Sequence, residues 1–276
     1  MEIVVVDAGN KEVKGVTKEG VFSFNSFLGE ARKRRLETNY QDEMIGIYNG
    51  VNFFAGELAE RESEFPRNSM GLSKAHEDAK LRILIAIHRF SKTNDVKLIV
   101  GQPIEMHDEI EKAEIKSMLT GIHTLILNGV EKRFQISRAE VAAEGAASYW
   151  CIPEEPFVRI IDAGSGTINI ATVKDGQFID KESFTLGFGA ESTKTRDIGA
   201  MGSGVISALN RFNRHDPIRI GGGIAEKLKP IIESRFTDCK VIRPSFESGS
   251  KVTKLHSKYA NAIGMYNLAK VVYGCE

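Results

Sequence analysis

The sequence predicts an α/β protein made of two similar halves, and three observations support this fold class. First, Ile3–Asn10 recurs as Val158–Ser165, and each copy is a short β-branched run that contains Asp-Ala-Gly near its end. Second, an alternating segment follows each copy, so each predicts a β-hairpin. Third, the rest of the chain alternates between strand and helix patterns, and 276 residues suffice for one large or two smaller domains.

The remaining elements follow from periodicity and turn residues. Helical spacing occurs in five segments, at 73–90, 109–119, 199–212, 225–236 and 258–272. Strands are expected at 96–101 and 218–220, and hairpin turns at Asn49-Gly50, Asn128-Gly129 and Asp175-Gly176. We place the boundary near Pro153–Pro156, which gives a first domain at 1–155, with a small lobe at about 22–90, and a second domain at 156–276.

Composition narrows the class of protein. Lys plus Arg and Asp plus Glu both number 37, and a protein that coats nucleic acid normally carries a basic excess. The three cysteines, Cys151, Cys239 and Cys275, fit neither a disulfide framework nor a CxxC metal site. No apolar run approaches the roughly 18 residues of a membrane span, and the first residues lack a signal-peptide pattern. We therefore expect a cytoplasmic protein without a membrane partner.

The first Asp-Ala-Gly loop has residues suited to binding phosphate. Gly9 allows a tight turn and a close approach of the backbone to a ligand, and successive amide groups around Asn10 can cradle phosphate oxygens. Lys14 adds a point charge, and Asp7 is suited to holding Mg²⁺ through water. The alternative is a plain tight hairpin with a solvated aspartate.

The second copy strengthens the phosphate hypothesis. Asp162 and Gly164 repeat the first loop, and Ser165, Gly166 and Thr167 add a glycine and two hydroxyl groups. Two such loops can hold a polyphosphate from both sides, with Asp7 and Asp162 sharing one metal ion.

A third glycine-rich element follows the strand expected at 218–220. Gly221, Gly222 and Gly223, followed by Ile224, can let a flat base or a ribose lie against the backbone. The alternative is close packing of a helix on a strand. The GxGxxG dinucleotide pattern is absent, and Gly189–Thr195 lacks the glycine that precedes lysine in a P-loop.

Taken in order, these elements resemble the phosphate and adenosine loops of the actin, Hsp70 and sugar-kinase superfamily. Within it, the sequence is similar to bacterial plasmid-segregation actins of the ParM type. The supporting segments are Asp7–Lys14, Val100–Pro103, Asp162–Thr167, Gly221–Gly223 and Tyr259–Gly264. The resemblance implies a duplicated actin/Hsp70/hexokinase-like (ribonuclease H-like) fold. It also implies binding and hydrolysis of ATP, with GTP as the alternative, with Mg²⁺, and a homopolymeric filament that moves plasmid DNA indirectly, through a DNA-binding adaptor protein.

The same resemblance assigns a role to the connector at 141–148. There, Glu144 occupies the place of the polar residue that positions the attacking water, and a carboxylate near the γ-phosphate can orient water or accept its proton. The alternative is a glutamate at a helix start, favoured by the helix dipole. Glu140 is the competing carboxylate nearby.

One departure from the four-lobed superfamily pattern is a shortened second half. Only about 30 residues separate Gly187 from Ile218, so the upper lobe of the second domain is expected to be missing, as in short members of the AlfA type. This leaves the choice between ATP and GTP open. The last helix is expected to pack back on the first domain.

Three other functions compete with this assignment. They are a small-molecule kinase of the same superfamily, another cytoskeletal or chromosomal-origin actin-like protein, and a direct DNA-binding or adaptor module. The third would depend on Arg32–Arg35, a basic run that is equally typical of a solvated loop.

Overall fold

The computed structural model describes residues 1–36, 38–40, 42–68, 71–249 and 251–274, which fall into two compact units. The first unit comprises Met1–Val100 and Glu109–Val141, and the second comprises Gly101–Asp108 and the chain from Ala142 onward. Cys275 lies outside the described residues, and Cys151 and Cys239 are free thiols. In the described part of the chain, no helix has the length and apolarity needed to cross a membrane.

The first unit is built on a mixed sheet with the order β3-β2-β1-β7-β9-β8-β5-β6-β4. Its strands are β1 Glu2–Ala8, β2 Glu12–Thr17, β3 Gly20–Asn25, β4 Leu28–Glu30, β5 Glu43–Tyr48, β6 Val51–Gly56, β7 Asp95–Gln102, β8 Gly121–Leu127 and β9 Val130–Ala143. The predicted turns at Asn49-Gly50 and Asn128-Gly129 are confirmed, because all four residues have positive φ angles between paired antiparallel strands.

The helices of this unit are α1 Glu57–Glu62, α2 Glu77–Phe90 and α3 Glu109–Leu119. The prediction for α3 is confirmed, whereas α2 begins four residues later than expected from its periodicity. His76 sets this start, since its extended backbone breaks the helix and its Nδ1 accepts a hydrogen bond from the Ala79 amide at 3.2 Å. The helix buries Ile83–Ile87 completely in the core of the unit.

The second unit has a sheet with the order β12-β11-β10-β14-β15, and β13 also pairs with β11. Its strands are β10 Phe157–Ala163, β11 Ile168–Lys174, β12 Gln177–Phe178, β13 Phe184–Leu186, β14 Ile218–Gly222 and β15 Cys239–Val241, and a separate hairpin is formed by β16 Ser245–Ser248 and β17 Lys251–Lys254. The helices are α4 Ile198–Ala208, α5 Ala225–Ile232 and α6 Ala260–Val272. The helices α4 and α5 each end four residues before their predicted limits. After the last residue of each helix, the chain forms tighter turns in which backbone amides donate to the carbonyl three residues earlier.

The compact units divide the chain at 141/142, whereas we placed the boundary at 155/156. The difference arises because residues 146–151 form a 3₁₀ helix that packs on α6 within the second unit. Gly264 of α6 lies directly against the Ala147 carbonyl, and the Asn267 side-chain amide donates to the Trp150 carbonyl at 2.9 Å.

The shortened second half is confirmed. Between β13 and β14 the chain forms only one α-helix, α4, and residues 187–217 are all described. This helix packs on α5 and contributes Met201 and Val205 to the core of the unit.

Lys74 is a buried cation beside the first Asp-Ala-Gly loop. Its side chain is 5% exposed, and its Nζ donates a hydrogen bond to the Ala8 carbonyl at 2.9 Å. Ala8 is itself buried and precedes the loop glycine, so this contact fixes the exit of β1.

We predict that Lys74→Met lowers the free energy of unfolding by about 1–3 kcal/mol, because it leaves the buried Ala8 carbonyl without this donor. The midpoint of urea denaturation, at an unchanged m-value, measures the loss. Lys18→Met, in an exposed turn, is the control and should leave the midpoint unchanged. Equal midpoints for the two variants would show that Lys74 contributes nothing to the loop.

Candidate phosphate loops and the connector glutamate

The first hairpin brings its predicted residues together. In the antiparallel register Asp7 lies opposite Lys14, and the Lys14 Nζ is 3.2 Å from the Asp7 Oδ2. Both side chains are largely buried, so this is a partly desolvated ion pair rather than a surface contact. The Asp7 carboxylate has the charge to bind a cation, and the Lys14 ammonium has the charge to bind an anion.

Gly9 is required by the geometry of the turn. A Cβ at this position would lie 2.7 Å from the Glu12 carbonyl oxygen, which no side chain tolerates. Asn10 is also largely buried, and its carbonyl accepts a short hydrogen bond from the Ser26 hydroxyl. Within the described residues its Oδ1 has no hydrogen-bond partner, which is unusual for a buried polar atom.

The second hairpin repeats the first at the level of register. Asp162 lies opposite Asn169, at the positions equivalent to Asp7 and Lys14. A Cβ on Gly164 would lie 2.9 Å from the Thr167 carbonyl, and the Gly164 amide donates to that carbonyl at 3.0 Å. The duplication therefore includes the turn itself. It departs from the first copy at Asn169, which replaces the lysine.

Asn169 is the centre of a polar network that sequence patterns did not indicate. It is 2% exposed, and its Nδ2 donates to the Glu144 Oε2 at 3.3 Å. Its Oδ1 accepts from the Thr185 hydroxyl at 2.7 Å and from the Ile104 amide at 3.3 Å. A single buried amide thus ties the second hairpin to the connector, to β13 and to the segment after β7.

Glu144 directly follows strand β9, so the alternative interpretation, a glutamate in the first turn of a helix, does not apply. It follows the last residue of β9, and its amide donates to the Gln102 carbonyl at 2.8 Å. The next residue, Gly145, has φ +80, which turns the chain before the 3₁₀ helix at 146–151. The Glu144 side chain is 8% exposed and packs where Gly101 leaves room, since a Cβ there would lie 3.1 Å from the Glu144 Cγ.

The competing carboxylate, Glu140, is committed to ion pairs in the first unit. It pairs with Lys116 at 2.5 Å and with Arg138 at 2.9 Å. Burial raises the pKa of Glu140, but hydrogen bonds from Lys116 and Arg138 outweigh this effect and hold the pKa below its ordinary value. Glu140 is therefore a poor candidate for a base that must exchange protons with water.

Asn261 and Ser148 are two further polar residues near Glu144 that were not selected from the sequence. The Asn261 Oδ1 accepts a hydrogen bond from the Gly145 amide at 3.2 Å. Among the described residues, neither the Asn261 Nδ2 nor the Ser148 Oγ has a hydrogen-bond partner, although both atoms are buried. In the sequence they were marked only as members of two segments, Tyr259–Gly264 for Asn261 and the connector at 141–148 for Ser148.

The three glycines at the end of β14 have different environments. Gly221 lies opposite Asp162 in the parallel register and packs on Ala260, whose Cβ would lie 3.2 Å from an added Cβ. Gly222 has φ +96 and lies against the backbone of Ala163, so both serve internal packing. Only Gly223 faces open space, and its amide donates to the Ala163 carbonyl at 3.2 Å. Ile224 follows as the N-cap residue, directly before α5.

The donor set fits Mg²⁺ held through water and phosphate rather than by an all-protein cage. Mg²⁺ in such sites is bound by one or two carboxylates and keeps several waters. No three His, Cys, Asp or Glu side chains converge into a metal site in the described part of the chain. Asp7 and Asp162 each offer one carboxylate beside their own loop, and carboxylate oxygen is a ligand type that Mg²⁺ accepts.

The basic run at 32–35 is partly used for internal ion pairs. Arg32 pairs with Glu62 at 2.8 Å, and Arg34 pairs with Glu43 at 2.5 Å. These contacts favour the solvated-loop interpretation of the run over a surface reserved for nucleic acid.

Comparison with solved structures gives the same fold across nearly the whole chain. The chain is similar to an AlfA filament bound to AMPPNP, with 22% identity, a TM-score of 0.77, and coverage of 99% of this chain and 96% of that one. A ParM filament from Clostridium botulinum has 19% identity and a TM-score of 0.74, with coverage of 98% of this chain and 99% of that one. An archaeal actin homologue, Ta0583, in complex with ADP has 16% identity and a TM-score of 0.76, with coverage of 98% of this chain and 100% of that one. At these identities the likeness establishes the fold, and it confirms the resemblance to ParM-type actins and to AlfA at that level.

Sequence comparison gives the family. No curated protein matches the chain. Residues 6–146, just over half of the chain, match the family model for the N-terminal domain of actin-like proteins. This stretch includes the first Asp-Ala-Gly loop and Glu144. The chain therefore belongs to the family of actin-like proteins.

Proposed function

We propose that this chain is a nucleotide-dependent, filament-forming actin-like protein that segregates plasmid DNA through a DNA-bound adaptor. The observation that carries the proposal is the repeated hairpin, in which Asp7 and Asp162 occupy the same register and Gly9 and Gly164 the same turn. Support comes from the shared fold with the AMPPNP-bound AlfA filament and with the ParM filament.

In this proposal, both loops bind the phosphates of one ATP, with GTP as the alternative. The amides around Gly9 and Asn10 and the Lys14 ammonium form the first phosphate loop. Ser165, Gly166 and Thr167, after Gly164, form the second and supply amides and hydroxyl groups. The backbone at Gly221–Ile224 lies beside the nucleoside, and the open space at Gly223 supports this placement.

In this proposal Asp7 and Asp162 would hold Mg²⁺ through water, and the ion would neutralise charge on the phosphates when bound. The ion pair between Asp7 and Lys14 supports this assignment. Lys14 compensates the carboxylate charge of Asp7, and each of the two groups has the charge that its proposed ligand, phosphate or Mg²⁺, requires.

Glu144 is the catalytic residue of this proposal, and it orients the attacking water or accepts its proton. Its burial at the end of β9 and its hydrogen bond from Asn169 support the role, because a held carboxylate keeps its direction. Asn169 is a positioning residue, since it acts through Glu144.

In this proposal, the state of the bound nucleotide controls the assembly of subunits into a filament. Loss of the γ-phosphate removes contacts that both loops make, so the affinity of a subunit interface changes by the difference between the two states. Head-to-tail contacts that do not close into a ring produce an open helical filament. The filament acts in the cytoplasm and reaches DNA only through the adaptor.

We predict that the protein sediments at high speed with Mg-ATP at micromolar concentration and stays in the supernatant with EDTA. A calorimetric titration on the same sample establishes whether ATP is bound. A protein that binds ATP but remains in the supernatant would contradict the filament assignment. Such a result would favour a small-molecule kinase.

We predict that Glu144→Gln lowers the rate of phosphate release by about 10²-fold or more, because an amide cannot accept the proton of water. Its affinity for Mg-AMPPNP should stay near that of the wild type, since the shape of the side chain is preserved. Glu140→Gln is the matched control and should keep normal turnover. Wild-type turnover in Glu144→Gln would return Glu144 to a purely structural role.

A further inference from the structure

We propose that residues 188–192, which we name the brace, position the second phosphate loop, and that Gly189 is the positioning residue on which this depends. The brace follows β13, in the stretch where the second domain lacks an upper lobe. The inference rests on the proposed function, because it assigns a binding role to the loop at 164–167.

Two backbone hydrogen bonds join the brace to the loop. The Ala190 amide donates to the Gly164 carbonyl at 3.0 Å, and the Glu191 amide donates to the Ser165 carbonyl at 2.8 Å. Both acceptors belong to the loop that would hold phosphate. The brace therefore holds two consecutive peptide units of the loop from one side.

The direction of these bonds determines what the loop presents on its other side. In a trans peptide the carbonyl of one residue and the amide N–H of the next point in opposite directions, and the described residues contain no cis peptide. Since the Gly164 and Ser165 carbonyls point to the brace, the amides of Ser165 and Gly166 point away from it. Consecutive amides that point to one side form a site for an anion.

Gly189 permits the close approach on which both hydrogen bonds depend. A Cβ on this residue would lie 2.6 Å from the Ser165 carbonyl oxygen and 2.7 Å from the Gly166 carbonyl carbon. These are backbone atoms, so a side chain at 189 can be accommodated only if the loop moves. The Ser192 hydroxyl accepts a hydrogen bond from the Gly189 amide at 2.7 Å and holds the turn of the brace.

The brace is anchored in the core of the second unit. Phe188 packs against Gly204 of α4, where an added Cβ would lie 3.1 Å from the ring. Phe188 also packs against the hydrophobic cluster that contains Met201 and Val205. The loop is thus held by a fixed element in place of the missing lobe, and its amides are oriented before any ligand arrives.

The test is calorimetric titration of Mg-AMPPNP into the full chain, the Gly189→Ala variant and the Gly187→Ala variant. Gly187 lies in the same segment, but a Cβ there meets nothing within 4 Å, so the same substitution serves as the control. The protein is kept below the concentration at which the wild type sediments. Unfolding temperatures without ligand are measured for every variant.

We expect Gly189→Ala to raise the Kd by about 10-fold to 10²-fold, because small displacements of binding groups cost this much. The Kd of Gly187→Ala should stay within about twofold of the wild-type Kd. This is well below a tenfold change, which corresponds to about 1.4 kcal/mol of binding free energy. The number of sites should be unchanged in both variants. A general folding defect would have the opposite signature, with fewer sites and a normal Kd.

A Kd for Gly189→Ala equal to that of Gly187→Ala would overturn the proposal. If Gly189→Ala does not fold, Ser192→Ala decides, since it removes the side-chain hydrogen bonds to the Gly189 backbone that close the brace and should raise the Kd by a smaller factor. An unchanged Kd in that variant would also overturn the proposal. Absence of binding by the wild type would instead contradict the proposed function itself.

Discussion

The structure of both candidate loops depends on one steric constraint. In each hairpin the glycine after Asp-Ala lies so close to the carbonyl of the residue three positions later that no side chain fits, at 2.7 Å for Gly9 and 2.9 Å for Gly164. This tightness fixes the turn, and the turn fixes which residues face each other across the strands. Asp7 and Asp162 therefore stand in the same register at equivalent strand ends.

The two hairpins share this frame but differ in what surrounds their carboxylates. Asp7 faces Lys14, and Lys74 holds the carbonyl of the next residue, so the first loop is bordered by cations. Asp162 faces Asn169, an uncharged amide that connects to Glu144. The first loop is thus suited to attracting an anion, and Asn169 of the second hairpin is suited to holding the Glu144 carboxylate in a fixed direction. The two copies of the motif therefore differ in the chemistry that surrounds the aspartate.

Much of the architecture was predictable because it is encoded locally. The repeated hairpins, the Asn-Gly turns and the short second half follow from residues that are neighbours in sequence, and α3 has the predicted limits. The residues that were missed make contacts over long sequence distances. Lys74 reaches Ala8, and Asn261 reaches Gly145, and no local pattern marks either pair. The strand before Glu144 was missed because alanines at 142 and 143 fit a helix equally well.

We propose that the Asp-Ala-Gly hairpins bind the phosphates of a nucleotide together with Mg²⁺. Titration of AMPPNP into Asp162→Ala, with and without Mg²⁺, tests it most directly, with Asp180→Ala at an exposed site of the same unit as the control. We expect Asp162→Ala to lose Mg²⁺-dependent binding and Asp180→Ala to bind as the wild type does. Unchanged affinity and unchanged dependence on Mg²⁺ in Asp162→Ala would contradict it.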